Sequence, residues 1–132
     1  MDVFPQHSTR LVNLMTLLPT QSGKLLEHAI LKHLTLQGIS PEYSTCLFPD
    51  FEWTTTILEA KNAVKNGTPD KLMSAVWQLE RKRRETGKEC ILVYNGDAYV
   101  KYVKTNNDML GIMSEFPKVK VTSFADYINE NH

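Results

Sequence analysis

The five residues Cys90-Ile91-Leu92-Val93-Tyr94 form an unbroken apolar run, preceded by Gly87 and followed by Asn95-Gly96-Asp97. A strand with one wet face alternates apolar and polar side chains, whereas a run with no polar member reads as a strand covered on both faces. A sheet built on such a strand needs an apolar layer above and another below, and amphipathic helices are what this chain has to supply them. Its 132 residues are enough for one domain whose core needs no disulfide staples. The pattern therefore predicts a single α/β domain over residues 1–132, a mixed central β-sheet flanked by α-helices.

Apolar periodicity marks the other elements. Residues 8–18 predict a short helix capped by Ser8 or Thr9 and ended by Pro19, within an arm over residues 1–21. Gln21-Ser22-Gly23 open a second helix running to about Gln37, with Leu25, Leu26, Ala29, Ile30 and Leu34 as its stripe and Gly38 at its end. A third helix starts from Thr68 and Pro69 and stops at Gly87, burying Leu72, Met73, Val76 and Leu79. Strands are expected at 41–48, 53–61 and 89–95, the last followed by a turn and a return strand at 98–104. Residues 106–116 predict a helix burying Met109, Leu110, Ile112, Met113 and Phe116. Val119 and Val121 give a final short strand, and Ser123 caps a last helix in which Phe124, Tyr127 and Ile128 face inward. Residues 22–95 form the core of this scheme and 96–132 its extension.

Charge is balanced, fifteen basic against fifteen acidic residues, so any affinity for nucleic acid has to come from local patches. Two cysteines, Cys46 and Cys90, make no framework and read as buried thiols of a reducing compartment; a bridge between adjacent strands is the other reading. The four histidines are scattered without zinc-ligand spacing. The apolar run 11–18 is too short to span a bilayer and lacks the pattern of a secretory leader, so a cytoplasmic protein with no membrane partner is expected. No nucleophile turn and no glycine-rich phosphate loop is present in the sequence.

The chemistry concentrates in residues 49–61, Pro-Asp-Phe-Glu-Trp-Thr-Thr-Thr-Ile-Leu-Glu-Ala-Lys. On a strand Glu59 and Lys61 point to one face. If the chain doubles back after Asp50, two carboxylates and an amine meet, an arrangement suited to a divalent cation beside a reactive water. None of the residues 52–55 readily takes positive φ, so a type I or longer turn is required. Residues 56–66 are also acceptable in a helix ending at Gly67, which would send Glu59 and Lys61 to different sides; the threonine-rich run before Ile57 favours strand. The same letters recur as Pro69-Asp70 and Glu80-Arg81-Lys82, but inside the third helix, where they would not converge.

Pro49-Asp50 followed by Glu59-Ala60-Lys61 resembles the motif of the PD-(D/E)xK nuclease superfamily, the restriction-endonuclease-like fold, over roughly residues 22–95. The resemblance implies a Mg²⁺- or Mn²⁺-dependent nuclease that hydrolyses DNA phosphodiester bonds. Asp50, Glu59 and the carbonyl of Ala60 would hold the metal, and Lys61 would assist the attacking water. Glu27, on the helix before the strands, would complete the metal shell through water, and Gln78 on the third helix would stand beside the site. Arg81, Lys82, Arg83 and Arg84 exceed what a helix C-terminus needs and read as a phosphate-contacting patch. Lys101 and Lys104, interleaved with Tyr99 and Tyr102, read either as further nucleic-acid contacts or as protection of an edge strand. DNA is the implied partner, with a homodimer or a separate targeting protein supplying what so small a chain lacks. The alternatives left open are a non-catalytic module of the same fold that binds nucleic acid or protein, and an unrelated small α/β adaptor.

Overall fold

The computed structural model describes residues 22–44, 47–63 and 67–130. Helix α1 (Ser22–Leu36) is followed by strands β1 (Glu42–Tyr43), β2 (Phe51–Glu52) and β3 (Thr56–Asn62), helix α2 (Pro69–Thr86) and strand β4 (Glu89–Asn95). Helices α3 (Asp97–Thr105) and α4 (Asn107–Glu115), strand β5 (Lys120–Ser123) and helix α5 (Phe124–Glu130) complete the order. The expected helix at 8–18 and Cys46 lie outside the described residues.

The strands form one sheet in the order β1-β2-β3-β4-β5. The first three are joined antiparallel, while β3–β4 and β4–β5 run parallel. The mixed sheet carries a layer on each face, as the apolar β4 run requires. Leu26, Ala29, Ile30 and Leu34 of α1 pack with Phe124, Tyr127 and Ile128 of α5 against Leu58, Ile91 and Val93. On the other face Leu72, Ala75, Val76 and Leu79 of α2 pack with Tyr99 and Met109 against Ile57, Cys90, Leu92 and Tyr94. Alternation along β4 thus divides its side chains between two cores. Burial pushes the Cys90 thiol up to about 11, consistent with an inert thiol.

Local chemistry sets the element ends. Gly38, at φ +79°, closes α1: its N–H donates to Thr35 and that of Ile39 to Leu34, a pairing that satisfies carbonyls of the last turn. Gly87 stops α2 in the same left-handed region. Thr68 precedes α2 with extended backbone but makes no capping bond through its side chain. The two residues Thr54 and Thr55 turn the chain from β2 into β3, with Trp53 and Thr56 exchanging backbone bonds of 2.9 and 3.3 Å. No non-glycine residue there has positive φ, so the turn manages without Gly or Asn.

Four expectations are corrected. The strand expected at 53–61 begins only at Thr56, because Trp53, Thr54 and Thr55 form the turn from β2. Of the strand expected at 41–48, the described residues show strand at Glu42–Tyr43 and bends at Leu47 and Phe48. The strand expected at 98–104 is helix α3: Gly96, at φ +104°, turns the chain beneath the Ala63 carbonyl, where any Cβ would overlap the oxygen. With β4 already flanked by β3 and β5 in parallel, a return strand has no edge to join, and Tyr99 is buried against α2's core instead. Leu110, expected inside, is 40% exposed.

Candidate active site at the open edge of β3

Strand β2 covers β3 only as far as Leu58, through the pairs Phe51↔Leu58 and Glu52↔Ile57. Past Leu58 the backbone of β3 faces a gap where β2 has not yet begun, and Asp50 fills it. Asp50 Oδ2 accepts from Ala60 N at 2.8 Å, while Asp50 N donates to Glu59 Oε1 at 2.9 Å. These two bonds replace the missing ladder and hold Asp50 and Glu59 against each other. In an extended strand a residue's N–H and C=O leave on the same side, so the Ala60 carbonyl is directed to the edge that Asp50 occupies. Residues 56–62 being strand, Glu59 and Lys61 share a face, and Lys61 Nζ lies 3.5 Å from Glu59 Oε2.

The electrostatics are unbalanced. Burial raises the Asp50 carboxyl above its ordinary range, opposed by the Ala60 N–H and by Lys61. Burial, then the charge of Asp50, raise Glu59; Lys61 offsets only part of this. The two carboxyls stand within hydrogen-bond reach, and the Glu59 carboxyl is pushed up to about 7. Glu27 enters from α1. Burial and then Asp50 raise its carboxyl, while Tyr43, Lys61 and Lys24 act the other way. Tyr43, stacked on Phe51 with ring centroids 4.8 Å apart, is pushed up to about 12 by burial and by Glu27. Glu27 Oε1 and the Tyr43 hydroxyl are both buried and lie close enough to influence one another.

Three partly or fully buried carboxyls thus stand near two ammoniums, Lys61 and, beside Glu27, Lys24. That donor set suits a hard divalent cation, which takes oxygen ligands and would cancel the excess negative charge. Among the described residues no three His, Cys, Asp or Glu side chains form a direct metal-ligand group. Asp50 and Glu59 are therefore a two-carboxylate set, and Glu27 is not bonded to either of them.

Other expected site residues are sorted by the structure. The Glu80-Arg81-Lys82 repetition of the motif lies in α2, as its apolar pattern indicates. Within the basic run, Arg83 and Arg84 are committed to Glu80: Arg83 Nε and Nη2 donate to its two oxygens at 2.8 Å each, and Arg84 Nε donates at 2.6 Å. Glu80, 4% exposed at its side chain, is held at a pKa of about 2 by these guanidiniums. Arg83 and Arg84, expected in a phosphate-contacting patch, thus already share one carboxylate. Lys82 lies 3.7 Å from Glu85. Gln78, Arg81, Lys82 and Glu85 line a cavity of about 270 Å³ together with Phe48, so Gln78 is not one of the groups bonded to Asp50 or Glu59. Lys101 and Lys104 are exposed, but on helix α3, so neither belongs to a basic edge strand.

Sequence reasoning missed Tyr43, Phe48 and Glu80. Glu80 was findable, because arginines three and four residues on share its helical face. Tyr43 and Phe48 carried no signal, since their neighbours come from distant segments. Comparison with protein-family models, with curated proteins and with solved structures returns no match.

Proposed function

We propose that this chain is a metal-dependent nuclease of the restriction-endonuclease-like class, hydrolysing DNA phosphodiester bonds. The observation that carries the reading is the reciprocal bonding of Asp50 to Glu59 and Ala60, with Lys61 3.5 Å from Glu59, at a strand edge left open by β2. Asp50, Glu59 and the Ala60 carbonyl would hold Mg²⁺ or Mn²⁺. Bound there, the metal would lower the pKa of a water and neutralise charge developing on the phosphate. The Lys61 ammonium orients the attacking water and donates to a phosphate oxygen, where negative charge accumulates. Glu27 would accept a hydrogen bond from a water on the α1 side. The alternating backbone and side-chain bonds fix these groups before substrate arrives, which reduces the reorganisation the reaction requires.

The test is cleavage of supercoiled, nicked, linear and four-way branched DNA, and of an RNA control, with Mg²⁺, Mn²⁺ or EDTA. Metal-dependent strand scission lost in both Glu59→Ala and Lys61→Ala, with circular dichroism unchanged, is the expected result. Absence of scission on every substrate, by protein whose fold is intact, overturns the proposal.

A further inference from the structure

The run Arg81-Lys82-Arg83-Arg84 looks uniform in sequence but is divided in space. Glu80 takes up Arg83 and Arg84 on one side of α2. Arg81 and Lys82 turn to another side, into the cavity shared with Phe48, Gln78 and Glu85. Arg81 is exposed and has no ion pair among the described residues. Lys82 is held only by the long contact to Glu85 at 3.7 Å. The cavity combines an aromatic face, two cations and an amide.

Phe48 ties this cavity to the open edge of β3. It lies two residues before Asp50, and two residues of chain span at most about 7 Å. The volume of about 270 Å³ is below the roughly 300–1,000 Å³ of pockets that enclose whole drug-sized ligands. It suits one unit of a longer molecule. Guanidinium and ammonium groups recognise phosphate, and an aromatic ring takes an unpaired base on its face. Glu85, on the same wall, opposes anion entry and would be displaced from Lys82 when a phosphate arrives.

We propose that this cavity is a nucleotide subsite: it holds one unpaired nucleotide of a nucleic-acid strand, adjoining the phosphate at Asp50 and Glu59, with its phosphate on Arg81 and Lys82 and its base against Phe48. The proposal rests on the nuclease reading for its choice of ligand. It places the strand's path across the C-terminal half of α2 and not along α3, and it requires the strand to be single-stranded or frayed at that point.

The experiment separates binding from cleavage. Fluorescence anisotropy of labelled single-stranded, duplex and branched oligonucleotides is measured in EDTA, using full-length Glu59→Gln as parent. Arg81→Ala combined with Lys82→Ala should weaken single-strand binding about tenfold and flatten its salt dependence by the contribution of about one to two phosphates. Phe48→Leu, which keeps an apolar side chain against the core, should cost about fivefold on single strands and leave duplex binding unchanged. Glu85→Gln should tighten binding, an effect that a merely structural role of this wall would not produce. Lys101→Ala should change affinity by less than about twofold. The proposal is overturned if the Arg81/Lys82 double variant binds like its parent with the same salt slope, or if Phe48→Leu weakens single-strand and duplex binding equally. If the subsite variants behave as expected but the wild-type chain cleaves nothing, the nuclease reading fails and the subsite stands. If cleavage occurs and the subsite variants bind normally, the reverse holds.

Discussion

Glu59 and Glu80 are both buried glutamates beside cations, and both belong to a Pro-Asp … Glu-x-Lys string, yet their surroundings drive them in opposite directions. Glu80 receives three short bonds from two guanidiniums and is held at a pKa of about 2. Glu59 shares its corner with a second carboxyl and has one ammonium at 3.5 Å, and its pKa is raised. A buried carboxylate supplied with more than enough positive charge is a structural fixture: the α2 surface is locked and no further cation is called for. A buried carboxylate supplied with too little keeps a proton or takes a cation. The excess of negative charge at Asp50, Glu59 and Glu27 is a local cost to the fold, and such costs cluster where ligands bind.

The contrast can be tested directly. The largest expected effect is on catalysis. Glu59→Ala and Lys61→Ala should each lower metal-dependent cleavage by at least about 10²-fold, whereas Glu80→Ala should leave the rate per folded molecule within about twofold. Next is metal linkage. With Mg²⁺ or Mn²⁺ at a hundredfold excess over its Kd, the wild-type chain should gain about 2.7 kcal/mol in urea unfolding. Glu80→Ala should keep that gain, and Asp50→Asn should lose it.

Without metal the order reverses. Glu80→Ala should cost about 2 kcal/mol, because charge-assisted hydrogen bonds are lost and two arginines are released. Glu59→Gln retains an oxygen that can accept from Asp50 N and removes a repelled charge, so it should be neutral or stabilising by about 1 kcal/mol. The smallest effects lie in pH dependence, with opposite signs. The folded pKa of Glu80 is lowered, so its contribution is present above the unfolded carboxylate value and fades as pH falls towards about 2. Asp50 and Glu59 are raised, so they favour the fold most while protonated, and that advantage is lost as pH rises through their folded values. Unfolding free energies of Glu80→Gln and Glu59→Gln, measured from pH 3 to pH 8, should therefore diverge from wild type in opposite directions as pH rises. Parallel curves would dissolve the distinction between the two sites.

Much of this was legible beforehand because it depended on short-range chemistry. The β4 run announced a sheet covered on both faces, Gly38 and Gly87 marked two helix ends, and Ser123 accepts from Asp126 N at 3.1 Å as a cap should. Asp50, Glu59 and Lys61 were singled out as a possible meeting point, and they do meet. The return strand at 98–104 was misjudged because Tyr99, Tyr102 and Val103 satisfy a helical stripe as well as a loose alternation, and Asn95-Gly96-Asp97 fits a hairpin turn as well as a strand-to-helix turn. Membrane passage is the narrowest of these conclusions: among the described residues no helix is long and apolar enough to cross a bilayer.

By itself the sequence determined the α/β layering, most helix boundaries and the residue types of the candidate site. These follow from burial periodicity and backbone preferences, which act within a few residues. Only the tertiary structure decided which of the two motif-like strings converges. A strand starting late opens an edge for Asp50, while a helix points Asp70 and Glu80 apart. It also decided which basic side chains are taken up, because Glu80 binds two of the four and leaves Arg81 and Lys82 to the cavity beside Phe48. Charge balance around a buried group depends on where distant segments bring their atoms together, and neither composition nor spacing carries that information.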